Sequence, residues 1–301
     1  MEIIEYRLGE SYLKSCVIAL GFFDGVHLGH RDLLKRAHAA AEELGVPFGV
    51  FTFKSSGNIK ADSKRIYTDK EKSEILAELC ADFTVFAEFS ELSGLSAEDF
   101  VSRVLIDGFG ARLAVAGFNY RFGKGAFGDA AALSALMRAK GGDALICEEY
   151  KLDGETVSTT LIREALALGD VKKAQRLLGA PYKIKGKVSH GRGEGRRLGF
   201  PTLNTHPAKD TLLPKTGVYH TEARVGEAVY QALTNIGTCP TFDEREIHLE
   251  TYLLDFSGDL YNEEISIHFI EYLREEKHFS SEKELIMQIN VDKNRVLNKS
   301  R

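Results

Sequence analysis

The chain has 301 residues, more than one hydrophobic core usually organises, so two domains are expected. Its content of 44% hydrophobic and 28% charged residues is typical of a globular protein and excludes a disordered or fibrous one. The net charge of −5 argues against a nucleic acid partner, because no basic field is available for its phosphates.

The N-terminal segment has no cationic start followed by an apolar run, so we expect no secretory signal. The apolar run 16–23 is far shorter than the roughly 20 residues that span a bilayer, and no membrane partner is expected. Cys16, Cys80, Cys147 and Cys239 lack the spacing of a zinc or redox site. We therefore expect four buried thiols in a cytoplasmic protein.

Strands alternate with helices in the first half of the chain. Short apolar runs predict buried strands at 17–20, 48–53, 83–86, 113–117 and 144–147. Amphipathic stripes predict a helix that carries Leu33, Leu34, Ala37, Ala40, Ala41 and Leu44 and ends at Gly45, and another that carries Ile75, Leu76 and Leu79. This alternation predicts an α/β domain, residues 1–180, with a parallel, Rossmann-like sheet that binds ligands beyond the carboxyl ends of its strands.

The second half, residues 181–301, is mainly β. Alternating apolar and polar residues predict strands at 182–188, 218–225, 229–235, 247–256 and 265–272. Short strands at this spacing favour an antiparallel β-barrel or sandwich. A terminal helix at 281–298, with a stripe of Leu285, Ile286, Ile289 and Val296, is expected to pack on it.

The first candidate site is the glycine-rich segment 21–30, Gly-Phe-Phe-Asp-Gly-Val-His-Leu-Gly-His, between a predicted strand and a predicted helix. Main-chain N–H groups and the positive end of the helix dipole favour a phosphate there, and Gly25 and Gly29 permit its close approach. His27 and His30 could hydrogen-bond a phosphoryl group during transfer. The alternative interpretation is a pair of solvated or helix-capping histidines.

The His-x-Gly-His pattern resembles that of nucleotidyltransferases that join a substrate phosphate to the α-phosphate of ATP and release pyrophosphate. With Phe23-Asp24-Gly25 ahead of it, the segment is similar to the bacterial bifunctional riboflavin kinase/FAD synthetase (FMN adenylyltransferase) family. Residues 117–123, Gly-Phe-Asn-Tyr-Arg-Phe-Gly, and 157–163, Val-Ser-Thr-Thr-Leu-Ile-Arg, resemble two further segments of that family.

This resemblance implies that His27 and His30 stabilise the transferring phosphoryl group. It also implies an ATP-binding set of Gly21, Phe23, Gly25, Gly29, Asn119, Ser158, Thr160 and Arg163. The residue types leave alternatives open. The hydroxyls of Ser158 and Thr160 precede a predicted helix and could cap it. Arg163 could be solvated, although its planar guanidinium suits phosphate oxygens.

One segment departs from the family. Residues 52–57 read Thr-Phe-Lys-Ser-Ser-Gly, where the family has Thr-Phe-Asp/Glu-Pro-His-Pro. The changed charge and stiffness could weaken FMN binding or adenylyl transfer. A riboflavin kinase with impaired or lost FAD synthetase activity is therefore the alternative function.

The second candidate site lies at 191–204, where four glycines and three arginines precede Phe-Pro-Thr-Leu-Asn. Gly191, Gly195 and Arg197 are expected to bind phosphates, although a flexible basic turn has the same composition. Thr202 and Asn204 share one face of an extended segment. Their oxygens suit Mg²⁺ beside the phosphates of ATP, but the same residue types often serve a turn.

Residues 201–204, Pro-Thr-Leu-Asn, resemble the Pro-Thr-Ala-Asn motif of riboflavin kinases, whose Thr and Asn contact the metal and the nucleotide phosphates. Residues 235–242 are similar to the family's Asn-Ile-Gly-x-Arg-Pro-Thr-Phe stretch, with Cys239 in place of Arg. Residues 248–256 resemble the strand whose Glu is the general base. The resemblance thus implies that Glu250 deprotonates riboflavin, whereas an acidic residue on a strand usually faces water.

The sequence predicts a cytoplasmic flavin-synthesis enzyme, a phosphotransferase and nucleotidyltransferase. Its ligands would be ATP, Mg²⁺, riboflavin, FMN and FAD, and the kinase domain would be a barrel. A flavin-responsive binding protein without turnover is a third interpretation, against which the intact catalytic motifs argue. A nucleotidyltransferase that acts on another phosphate acceptor is a fourth, because His-x-Gly-His alone does not select the acceptor.

Overall fold

A computed structural model of the chain describes residues 1–54, 64–191, 193–238 and 247–298. The chain divides into two compact units, Met1–Thr159 and Thr160–Arg301. The boundary inferred from the change of pattern near residue 180 stays a prediction.

The first unit is built on a parallel six-stranded sheet with the strand order β1-β4-β3-β2-β5-β6. Its strands are β1 Glu2–Glu5, β2 Cys16–Leu20, β3 Phe48–Phe53, β4 Phe83–Ala87, β5 Ala111–Gly117 and β6 Asp143–Cys147, and a separate hairpin comprises β7 Lys151–Leu152 and β8 Glu155–Thr156. All five predicted strands are confirmed, and β1 at one edge is additional. Every residue of β2 is buried, as is typical of a central parallel strand.

Helices of the first unit follow the strands and cover the sheet. They are α1 Leu28–Leu44, α2 Asp69–Glu78, α3 Phe89–Leu92, α4 Ala97–Asp99, α5 Asp107–Phe109 and α6 Ala130–Ala139, with a π-helical segment Phe100–Ile106 before α5 and a 3-10 turn Lys124–Ala126 before α6. The prediction that the first helix ends at Gly45 is confirmed, since Gly45 adopts the left-handed conformation with φ of 62°.

The second unit contains a closed antiparallel barrel with the strand order β10-β13-β12-β11-β14-β9, so the barrel and not the sandwich is correct. Its strands are β9 Tyr182–Ser189, β10 Thr202–His206, β11 Gly217–Val225, β12 Ala228–Thr238, β13 Ile247–Leu253 and β14 Glu264–Arg274. The helices are α7 Thr159–Ala167, whose first residue belongs to the first unit, α8 Val171–Leu178, α9 Glu194–Arg197 and α10 Glu282–Leu297.

The terminal helix α10 packs on the outside of the barrel, as predicted. Its Val296 is fully buried in a cluster with Val218, Leu233, Leu254 and Leu273. An ion pair adds to this contact, because Arg274 Nη2 on β14 lies 2.8 Å from Asp292 Oδ2 on α10. Burial of both partners makes this pair costly to break.

The cysteines differ from expectation at one position. Cys16 and Cys147 are buried thiols, but Cys80 is exposed, so the prediction of four buried thiols is wrong there. Cys80 lies in the turn after α2 with φ of 64°, where the chain leaves the helix at the surface. Cys239 lies outside the described residues. No helix of the described part is long and apolar enough to cross a membrane.

Two candidate active sites

The first candidate site begins with a strained loop at the carboxyl end of β2. Phe23, Gly25 and Val26 all have positive φ values, of 52°, 83° and 40°. Glycine adopts this conformation freely, but it costs about 1–3 kcal/mol at each other residue. The Phe23 and Val26 side chains are fully buried anchors. The loop is therefore held in a conformation that its sequence alone does not favour.

His27 ends this loop and caps α1. The backbone N–H of His30 donates to His27 Nδ1 at 3.2 Å. A neutral imidazole that accepts through Nδ1 carries its proton on Nε2. One nitrogen of His27 thus serves the capping role, while the other stays an N–H donor for a ligand.

The two histidine rings stack with centroids 3.6 Å apart. Burial lowers the pKa of His27 to about 4. The pKa of His30 lies well below its usual value because of burial first, then the neighbouring His27 and Lys72. Both rings are therefore neutral near pH 7 and act as hydrogen-bond donors without positive charge. Among the described residues, the buried His30 Nδ1 has no hydrogen-bond partner.

Two glycines of this segment lie close to aromatic rings, and packing requires the first of them. A Cβ at Gly21 would lie 2.8 Å from the Phe23 ring, and one at Gly29 would lie 3.3 Å from the His27 ring. Real Cβ atoms almost never lie as close as 2.8 Å to another heavy atom. Because Gly21 has no Cβ, the Phe23 ring can enter the core. Direct phosphate contacts of Gly21, Phe23, Gly25 and Gly29 stay predictions.

The other predicted residues of this site come from three segments. Asn119 lies exposed in the turn after β5, the strand next to β2. Ser158 precedes Thr159, whose Oγ1 donates to the carbonyl of Asp24 in the loop at 3.2 Å. Thr160 and Arg163 lie on α7 in the second unit. Their roles at ATP stay predictions.

The segment that departs from the family is described only at its start. Lys54 Nζ lies 3.5 Å from a carboxylate oxygen of Glu5 and 3.5 Å from one of Glu88. The next three residues, 55–57, lie outside the described residues. The charge introduced by Lys54 is therefore compensated within the first unit.

The second candidate site is a row of side chains on the outer face of the barrel. Glu250 on β13 pairs in register with Asn204 on β10 and with Asn235 on β12. Their neighbours Thr205, Leu249 and Ile236 are buried inside the barrel. Because strand side chains alternate between faces, the row itself points outward. The sequence did not predict Asn235, since its position beside Glu250 depends on strand register.

The glycine-rich loop packs closely on β10. A Cβ at Gly191 would lie 2.0 Å from Asn204 Nδ2. At Gly195 it would lie 2.4 Å from the carbonyl oxygen of Phe200 and 3.2 Å from Thr202 Oγ1. Both glycines therefore allow the loop to approach the two predicted metal ligands. The extended conformation predicted for 202–204 is confirmed by β10.

Replacing Gly191 with alanine is expected to displace the Asn204 side chain. In the riboflavin phosphorylation that the sequence resemblance implies, it should raise the KM for ATP about tenfold or more, as small misplacements of positioning groups do. Steady-state kinetics with varied ATP measure this. Gly94→Ala is the matched control, because a Cβ there meets nothing within 4 Å. An unchanged KM in Gly191→Ala would show that the close approach does not matter.

Two clefts meet at Thr202. One, of about 290 Å³, is polar and is lined by residues that include Gly191, Arg196, Asn204 and Tyr261. The other, of about 310 Å³, is lined by Glu250 and by aromatic and apolar side chains that include Tyr252, Phe279 and Leu285. Thr202 lines both. A phosphate donor in the polar cleft and a planar apolar acceptor in the other would meet there.

Two polar side chains of the second site, Arg197 and Asn235, already have hydrogen-bond partners within the protein. Arg197 donates to Glu282 in the first turn of α10, with Nη1 3.2 Å from Oε2, so a carboxylate competes with a phosphate for this guanidinium. Asn235 Nδ2 donates to Glu276 Oε1 at 3.1 Å. The buried Asn235 Oδ1 has no partner within the described part of the chain, so it is suited to accept from a ligand.

Comparison with known proteins assigns a family to each part of the chain. The family model described as FAD synthetase matches residues 9–161, and the one described as riboflavin kinase matches residues 178–299. The chain thus has the two catalytic domains of a two-domain transferase.

Relatives that cover nearly the whole chain carry both activities in their names. The bifunctional riboflavin kinase/FMN adenylyltransferase of Listeria monocytogenes is 35% identical over 92% of this chain and 90% of its own length. That of Bacillus subtilis is 36% identical over 96% of this chain and 93% of its own length. The chain therefore belongs to the bifunctional riboflavin kinase/FMN adenylyltransferase family.

A solved structure shares the fold of the chain. The crystal structure of a Streptococcus pneumoniae protein described as a macrolide-efflux protein matches with a TM-score of 0.91. The two proteins are 28% identical, and the match covers 99% of each chain. The likeness supports the fold, and the description as an efflux protein belongs to that protein.

Proposed function

We propose that this chain makes flavin cofactors in two steps: it phosphorylates riboflavin to FMN, then adenylylates FMN to FAD and releases pyrophosphate. The observation that carries the proposal is that one chain holds both catalytic domains, with relatives of the same two-domain composition. ATP is the phosphate donor in the first step and the adenylyl donor in the second. We propose a cytoplasmic location, where ATP is available.

Riboflavin phosphorylation is proposed for the barrel. ATP occupies the polar cleft, and the flavin occupies the aromatic cleft with its 5′-hydroxyl towards Glu250. Glu250 takes the hydroxyl proton as the oxygen bonds to the γ-phosphorus, and the bond from that phosphorus to the β-phosphate oxygen breaks. Such general-base assistance contributes roughly 10²- to 10⁴-fold, and positioning and charge neutralisation supply much of the rest.

The donor set at Thr202 and Asn204 fits Mg²⁺. Both side chains offer neutral, hard oxygens on one face of β10, and the phosphates of ATP would add charged oxygens. Within the described ranges, no group of three or more His, Cys, Asp or Glu residues could hold a metal. When bound, Mg²⁺ would neutralise phosphate charge. We propose Thr202 and Asn204 as its protein ligands.

Adenylyl transfer is proposed for the parallel-sheet domain. A phosphate oxygen of FMN attacks the α-phosphorus of ATP, and the bond to the bridging oxygen breaks as pyrophosphate leaves. The neutral His27 ring donates through Nε2 to the phosphoryl oxygens. The N-terminus of α1 supplies backbone N–H groups, which also carry positive partial charge and can donate to these oxygens. His30, stacked on His27, completes the donor pair.

Separation of flavins after incubation of the purified protein with ATP and Mg²⁺ tests both steps. We expect FMN and FAD from riboflavin in one reaction, and FAD from FMN in a second. FMN without any FAD in either reaction would instead support a kinase with an impaired synthetase, and would direct attention to residues 54–57. Absence of both FMN and FAD from the riboflavin reaction would overturn the kinase proposal.

A further inference from the structure

A buried lysine lies beneath the strained loop of the first site. Lys72 on α2 is only 2% exposed. Lys72 Nζ donates to the carbonyl oxygens of Phe22 at 3.5 Å and Phe53 at 3.4 Å, and to Thr52 Oγ1 at 3.3 Å. An ammonium group has three N–H donors, so each of these oxygens can accept one of them. The sequence did not indicate this role, because Lys72 stands in a charged run typical of a solvated helix face.

Thr52 joins the same contact. Its hydroxyl donates to the Phe22 carbonyl at 2.9 Å and accepts from Lys72. Thr52 is fully buried near the end of β3, and Phe22 lies just beyond the end of β2. The two side chains therefore tie the carboxyl ends of neighbouring strands together through one carbonyl. We call Lys72, Thr52 and the Phe22 carbonyl the strand-end clamp.

The clamp holds one side of the loop, and separate bonds hold the other. Arg31 Nε donates to the Val26 carbonyl at 3.1 Å. The backbone N–H of Ile66 donates to Asp24 Oδ1 at 3.2 Å. Residues in unfavourable backbone conformations persist only where their surroundings fix them, and such strain is concentrated at functional sites. Phe23 and Val26 have such conformations, and the hydrogen bonds described above hold the chain on either side of them.

Burial of the ammonium is unfavourable unless the group is hydrogen-bonded and its charge is balanced. Burial lowers the pKa of Lys72 below its usual value, although the carboxylates of Asp69 and Asp24 oppose this shift. Asp69 Oδ1 lies 3.6 Å from Nζ. The positive charge also disfavours protonation of His30, whose other titratable neighbour is the His27 ring. The ammonium thus contacts the loop and also contributes, after burial and His27, to the low pKa of His30.

We propose that Lys72, acting with Thr52 through the strand-end clamp, is a positioning residue for adenylyl transfer that holds the strained loop from which His27 projects. This inference rests on the proposed FMN adenylyltransferase activity. Because the ammonium also opposes a second positive charge nearby, its removal should make His30 easier to protonate.

Two variants separate the bonds of Lys72 from its charge. Lys72→Met removes both, whereas Thr52→Val removes a donor to Phe22 and leaves the ammonium in place. We expect kcat for FAD formation to fall about 10- to 100-fold in each, with a smaller change in the KM for ATP, because the loop must be positioned for the reaction. Riboflavin kinase activity should stay unchanged in both, and Lys70→Met, an exposed lysine of the same helix, is the matched control.

Two readouts do not depend on turnover. Amide hydrogen exchange in residues 22–27 should become faster in Lys72→Met and Thr52→Val. The NMR titration of the His30 ring should move to higher pH in Lys72→Met only, since removal of a nearby cation raises a histidine pKa. If the parent made no FAD from FMN, the proposed activity would fail, while amide exchange in residues 22–27 would still decide whether the clamp holds the loop.

The inference is overturned if Thr52→Val and Lys72→Met both keep parental kcat and parental exchange in residues 22–27. Should Lys72→Met fail to fold, Thr52→Val decides the positioning role by its kcat and exchange, because this replacement nearly preserves side-chain volume.

Discussion

Replacement of Glu250 with glutamine is expected to lower FMN formation from riboflavin by roughly 10²- to 10⁴-fold, the contribution of a general base. Glutamine keeps the size and hydrogen-bonding capacity of the side chain but does not accept the hydroxyl proton. The KM for ATP should change little, because Glu250 lines the aromatic cleft and not the polar one. Initial rates of FMN formation at varied ATP measure both quantities.

Two controls accompany this variant. FAD formation from supplied FMN should proceed at the parental rate in Glu250→Gln, which shows that the protein is folded and that the other site is intact. Glu222→Gln changes an acidic residue on β11 of the same barrel, where Glu222 accepts from Gln231 at 3.3 Å, and should keep kinase activity. Equal kinase turnover in Glu250→Gln and the parent would remove Glu250 from the base role.

Replacement of His27 with asparagine is expected to lower FAD formation from FMN about 10²- to 10³-fold, the usual effect of losing one donor to a developing oxyanion. Asparagine is a good N-cap residue, so its side-chain oxygen can still accept from the N–H of His30 and preserve the start of α1. The loss would then report on the missing Nε2–H group and not on helix unfolding. Initial rates of FAD formation measure it.

The matched control is His38→Asn, which changes a histidine on the same helix that lies 3.8 Å from Glu42. We expect parental FAD formation in His38→Asn and parental riboflavin kinase activity in both variants. Parental FAD formation in His27→Asn would contradict the donor role. The ring would then be no more than the cap of α1, which was the alternative interpretation of the sequence.

Local patterns predicted most of the fold because they reflect burial. Strands β2 to β6 are short apolar runs, and the helix after β2 carries a regular apolar stripe. Strand β1 was not predicted because it has no apolar run. It lies at the sheet edge, where Ile3 is 57% exposed and only Ile4 is buried. The choice between barrel and sandwich also required the structure. Both have the same alternation, and closure depends on the pairing of β9 with β10 and β14.

The candidate sites were predictable where their residues are consecutive. Segment 21–30 and residues 202–204 keep their spacing in the structure, so a motif describes them well. Asn235 lies in the second site because of strand register. Lys72 lies beneath the first site because its charged side chain is buried. Neither is visible in a local pattern, because the charged run 69–72 has the composition of a solvated helix surface.

The most direct test of the two-site account mixes the Glu250→Gln and His27→Asn variants with riboflavin, ATP and Mg²⁺. The account predicts little or no FAD from either variant alone and steady FAD formation in the mixture, because FMN made by the His27→Asn protein is adenylylated by the Glu250→Gln protein. No FAD in the mixture, or parental FAD formation by either variant alone, would contradict the assignment of the two reactions to separate sites.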